Sequence, residues 1–244
     1  MLSSIKSELR KLLTIRSTYI IFACMLVLIA FFAFYAQGIA AVPEDAARST
    51  YLDSIIRNAA NLVFTISTFI TILMVTHEYR YNTIMYTLTS SKSRAQSLFA
   101  KLVVATGLAL VLTTFFCILA PLLSILGASI GGHEIGPQTL YFKDLIWQCL
   151  FSGWGIMTLG FVLAVIIRSQ IGAIIMFLML PTTVESLLSL LLKDNAKYLP
   201  FNAISSVSSG FGSLTPGKAA IVSLIYLAVG LAVSFGLFIK RDAN

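Results

Sequence analysis

One carboxylate stands inside an apolar run. Glu185, in LPTTVESLLSLLL, follows Pro181 by four residues with no other charge near it. A charged carboxylate at the centre of a membrane helix costs at least ~2.5 kcal/mol, so this one must face a bundle interior, a cavity or a partner. Two readings follow. It meets a transported species or proton, or marks a gate hinge at the Pro181 kink; or it is protonated or hydrogen-bonded and holds helix packing. Packing is the stronger reading, because no second charge lies within a span to complete a relay. A second polar feature is the hydroxyl-rich run Ala59–Val75, with Thr65, Ser67, Thr68 and Thr71. One side of that helix faces protein in preference to lipid.

Other chemistry is excluded by residue type and context. Gly212 to Lys218, GSLTPGK, looks like a phosphate-binding loop. However, Ala219 stands where a magnesium-holding Ser or Thr is needed, and no strand precedes the loop. No nucleotide site remains, so any ATP would be handled by another chain. His77 and His133 are isolated on opposite sides of the membrane, which makes a metal site from them improbable. Cys24, Cys117 and Cys149 lack ligand spacing and read as small packing residues. No Ser, His and Asp set or Cys and His set is placed as nucleophile and base. The chain does not read as an enzyme.

The elements that must position these residues are membrane spans. Of 244 residues, 58% are hydrophobic and 11% charged, with mean hydropathy +0.91, whereas soluble domains carry about a quarter charged residues. The net charge of +7 is spread along loop edges, which argues against nucleic acid. An amphipathic helix over 1–16, with Leu2, Ile5, Leu9, Leu12 and Leu13 on one stripe, should lie on an anionic leaflet. It is followed by a retained span and not a signal peptide. Six spans are expected at about 17–36, 59–75, 102–126, 145–167, 171–192 and 219–239. Pro121 should bend the third, Gly153, Gly155 and Gly160 should let the fourth pack closely, and the fourth and fifth should form a tight hairpin. The segment 37–58 reads as a polar loop that is partly helical, and 193–218 as a long loop. Six spans put both termini on one side. That side carries eleven of the seventeen Lys and Arg and the other six, so both termini are expected in the cytoplasm. No internal repeat suggests a carrier of two related halves.

The loop 76–101, THEYRYNTIMYTLTSSKSRAQSLFAK, is the longest polar interruption with a helical pattern. Tyr81, Ile84, Met85 and Leu88 share one face, among Arg80, Lys92, Arg94 and Lys101 and the single acid Glu78. Either a soluble partner pushes there, or the helix rests on the lipid surface.

This loop, the basic start leading through KLLTIRSTY, the VES of the fifth run and KYLPFNA together resemble the permease subunits of bacterial type-2 ABC exporters, over essentially the whole chain. The resemblance implies an all-α fold of six transmembrane helices, with an N-terminal connecting helix over 1–16, a permease domain over 17–244 and a cytoplasmic coupling helix between spans two and three. It implies two cytoplasmic ATPase subunits, a second permease copy or a related permease, and ATP and magnesium in the ATPases, not in this chain. Glu78, Tyr79, Arg80, Tyr81, Thr83, Ile84 and Leu88 are then the expected ATPase contacts. Asn82 departs from the glycine more usual there, which leaves only the local helix start in question. Asn61, Thr65, Thr68 and Thr71, with Glu185 near the exit, are the expected pathway in a bacterial cell membrane. The apolar spans suit an amphiphilic cargo, such as a drug, antimicrobial peptide or lipid. An ion-coupled carrier and a non-transporting scaffold or sensor remain the alternatives.

Overall fold

The computed structural model describes residues 2–14, 16–40, 51–81, 93–133, 142–209 and 214–240. All elements in these segments are helical, and no strand occurs among them. Six helical stretches are long and apolar enough to cross a membrane: Thr18–Ala36, Tyr51–Arg80, Ala95–Ile130, Asp144–Ile167, Gln170–Tyr198 and Pro216–Lys240. The six-span, all-α reading therefore holds.

Helix α1 (Leu2–Thr14) precedes the first span. Its Leu12 and Ile5 join the core, while Leu2, Leu9 and Leu13 remain exposed. The first span is α2 (Arg16–Ala30) continued by a π-helical run, Phe31–Ala40. In that run Gly38 meets Gly127 of the third span. A Cβ at Gly38 would stand 3.0 Å from the Gly127 Cα, so any larger residue would push the two backbones apart.

Helix α3 (Tyr51–Arg80) is the axis of the molecule. Its 30 residues span about 45 Å, more than the ~30 Å hydrocarbon core requires. Three packed clusters share it. Ile55 and Val63 pack with Met25, Ile29 and Phe116. Ile56 and Phe64 pack with Leu145 and the free thiols of Cys117 and Cys149. Ile72 and Val75 pack with Phe161, Phe177 and Phe238.

Helix α4 (Arg94–Ile130) runs continuously through Pro121. Helix α5 (Phe142–Ile167) presents its glycines as expected. A Cβ at Gly153 would come 2.8 Å from the Phe64 ring, and one at Gly160 would collide with the Thr68 methyl. The α5 helix ends at Arg168, which takes a left-handed φ of 59°. Ser169 then caps α6 (Gln170–Met179), accepting from the Gly172 amide at 3.4 Å. The fourth and fifth spans form the tight hairpin expected of them.

Three expected boundaries are corrected. The second span begins at Tyr51 rather than at 59, because the preceding polar stretch is helical and tied inward. Arg57 Nε donates to Asp53 at 2.7 Å, and its Nη1 reaches Gln148 of α5 at 3.1 Å. The loop expected over 76–101 is shortened at both ends: α3 continues to Arg80, and α4 starts at Arg94, with the Ser93 hydroxyl accepting from the Gln96 amide at 3.2 Å, while residues 82–92 of the expected helical pattern lie outside the described residues. The segment 193–218 is not simply a loop. The fifth span passes through a π-helical turn at Leu180–Val184, around Pro181, into α7 (Glu185–Leu192) and a 3₁₀ turn at Lys193–Tyr198. A short helix α8 (Pro200–Ser209) follows and packs against α5 and α9 (Pro216–Lys240).

Candidate functional site

Helices α1, α3 and α4 meet in a closed ring of four charges. Lys11 Nζ donates to Glu8 Oε1 at 2.7 Å and to Glu78 Oε1 at 2.8 Å. Lys101 Nζ donates to Glu8 Oε2 at 2.7 Å and to Glu78 Oε1 at 2.8 Å. Each lysine thus bridges both glutamates, one from α1 and one from α3. Glu8, Glu78 and Lys101 are buried, whereas the Lys11 side chain is 41% exposed. Burial pulls the Lys11 ammonium down, but its bonds to Glu78 and Glu8 outweigh this and hold it above the usual value of 10.5. A ring of matched buried charges does little for net stability, yet removing one member leaves an uncompensated charge. It specifies where α1 sits.

The neighbouring helix ends gather around this ring. The Arg168 guanidinium, from the α5–α6 turn, lies 5.4 Å from the Tyr79 ring centre. Arg80 Nη1 donates to Gln170 Oε1 at 3.2 Å. Tyr81 packs its ring 4.5 Å from that of His77. The ends of α1, α3, α4 and α5 and the start of α6 therefore share one platform, from which the connection 82–92 departs.

Of the residues expected to meet an ATPase, Arg80 and Tyr81 are exposed and Tyr79 is half-buried. Glu78 is only 6% exposed and engaged by Lys11 and Lys101, inside the platform. Thr83, Ile84 and Leu88 lie outside the described residues.

The expected pathway divides. Thr68 and Thr71 are buried, and their hydroxyls donate back to Phe64 O at 2.7 Å and Ser67 O at 2.9 Å. Thr68 stands against Gly160 of α5. Both hydroxyls are thus satisfied within α3, and Thr68 is covered by α5. Asn61 is exposed, and the half-buried Thr65 donates to Asn61 O at 3.1 Å. With exposed Ser54 and Asn58, they form a stripe at spacings of four, three and four on one open face of α3. Ser54 and Asn58 precede the expected start of the second span at 59 but share the helical periodicity of Asn61 and Thr65.

Glu185 is engaged within the chain. It is 3% exposed, and its two oxygens accept from the Phe201 amide at 2.8 Å and the Asn202 amide at 2.9 Å. The carboxylate caps the N-terminus of α8, satisfying orphan donors and complementing the helix dipole. This is the packing reading with its partner identified. The signal missed at the platform was Glu8, an acid three residues before Lys11 in an otherwise basic segment.

No curated protein matches this sequence. The sequence model of the ABC-2 family transporter proteins matches residues 4–193, which include α1, the charge ring, the open stripe of α3 and Glu185. The chain belongs to the ABC-2 family of transporter membrane proteins.

Proposed function

We propose that this multi-pass ABC-2 subunit is the permease of an ATP-driven exporter. Two cytoplasmic ATPase subunits would dock on the platform made by Tyr79, Arg80, Tyr81 and the connection 82–92, which carries Thr83, Ile84 and Leu88. The observation that carries this reading is the four-charge ring: it ties α1 to α3 and α4 through Glu78, two residues before the end of α3. A push on the connection would then move α1, α3 and α4 together. ATP and magnesium belong to the ATPases, and both termini face the cytoplasm of a bacterial cell.

Cargo would pass between this chain and a second permease, a copy or a relative, along Ser54, Asn58, Asn61 and Thr65. Asparagine side chains at a hydrocarbon surface are costly, so an exposed stripe of them within a span favours a protein–protein or watered path. The apolar surroundings favour an amphiphile: a drug, antimicrobial peptide or lipid. An ion-coupled carrier has lost its best support, since Glu185 is committed to α8.

Purification of the tagged chain in mild detergent tests the proposal. A stoichiometric ATPase chain should come with it and be lost on Arg80→Glu. Recovery of the folded chain alone across several detergents would favour a carrier or scaffold.

A further inference from the structure

Where α1 bends into α2 beside the end of α3, the protein forms a cavity of about 260 Å³. Its lining is divided. Leu12, Ile21, Leu73 and Met74 make an apolar wall, while Arg80 and Gln170 stand among the polar groups of its mouth. At about 30 Å³ per water-sized group, the space takes roughly nine such groups, enough for a stretch of acyl chain. The apolar residues Ile70, Leu73 and Met74 precede the polar His77, Glu78 and Arg80 along α3, so the lining turns polar towards the end of that helix.

Charge selects the headgroup. Glu8 and Glu78 are already matched by Lys11 and Lys101. Arg80 is not: among the described residues its hydrogen bond goes to the neutral carboxamide of Gln170. Exposed Arg10 and Arg16 add further positive charge along α1 and α2. With Glu8 and Glu78 of the lining held by the two lysines, the guanidinium of Arg80 beside an apolar wall is the charge left to meet an anionic amphiphile.

We propose that this cavity binds an anionic phospholipid, with its phosphate at the Arg80 guanidinium and one acyl chain along Ile21, Leu73 and Met74. The lipid would wedge α2 against α3 beside the charge ring, making the position of α1 dependent on lipid. The site is separate from the proposed cargo path. Ile70, Leu73, Met74 and His77 repeat at i, i+3, i+4 and i+7 on the face of α3 opposite Ser54, Asn58, Asn61 and Thr65.

Native mass spectrometry of the full chain tests it, after exchange through nanodiscs of phosphatidylglycerol and phosphatidylcholine in equal parts. Wild type should retain one phosphatidylglycerol with about fivefold preference, the Boltzmann factor of one basic contact at a lipid surface. Arg80→Gln should abolish the preference. Leu73→Trp, which fills the wall, should lose the adduct, with Ile21→Phe as the second variant if Leu73→Trp does not fold. Equal retention in wild type and the filled variant, or a headgroup-indifferent adduct in wild type, overturns the proposal. The readout needs no ATPase and no transport, so its failure leaves the exporter reading untouched.

Discussion

The charge ring behaves as a unit because each lysine serves two glutamates. Lys101→Met should destabilise the protein by about 3–5 kcal/mol, the usual cost of stranding a buried charge, seen as a lower melting temperature in detergent. Lys11 gives a pH signature. Its folded value lies above 10.5, so its contribution is fully present below that value and is lost as pH rises through the folded value. Hydrogen exchange in α1 should stay slow from neutral pH to about pH 10, after correction for the intrinsic rate, and quicken above 10.5. In Lys11→Gln the protection should be weaker and this alkaline step absent. Glu185 is a separate matter. Gln in its place keeps one acceptor but turns an amide donor towards the second backbone N–H, so Glu185→Gln should cost about 1 kcal/mol. Assembly and transport should survive, and normal assembly without transport would return Glu185 to the pathway.

At the scale of the element, α3 does three jobs. Thr68 packs against Gly160 of α5, Leu73 and Met74 line the cavity on the other side, and Ser54, Asn58, Asn61 and Thr65, on the same face as Thr68 but nearer the start of the helix, are left open. The contact at Thr68 tolerates no volume. Gly160→Val should separate α3 from α5 at a cost of at least about 1–3 kcal/mol, read as loss of a monodisperse peak in size-exclusion chromatography. The open face should respond differently. Asn58→Leu with Asn61→Leu should leave the fold and ATPase co-purification intact, because neither residue packs inside the chain, while transport falls by at least about tenfold if the path is watered there.

For the whole molecule, the platform and the stripe lie at opposite ends of α3, about 30 Å apart along a helix that rises 1.5 Å per residue. A single rigid rod joining them is the simplest way for an event at one end to reach the other. Arg80→Glu should therefore uncouple the ATPase without unfolding the spans, measured as loss of co-purification at unchanged thermal stability. The Asn58 and Asn61 pair should do the converse. The two variants together separate docking from passage.

The sequence by itself determined the class and the number of spans. Apolar runs of about twenty residues have no other stable solution than to cross a bilayer as helices, whatever their neighbours. It also determined the close-packing role of Gly153 and Gly160 and the Arg168–Gln170 hairpin, since each follows from local residue type, while for Glu185 it left packing and passage as alternatives. The tertiary structure decided which polar residues face which way. Thr68 and Glu78 read as accessible in sequence and are covered by α5 and by two lysines. Glu8 and Lys101, 93 positions apart, become one salt bridge. Helical periodicity sorts residues onto faces, but only the helices packed around α3 determine which stretch of a face is left open.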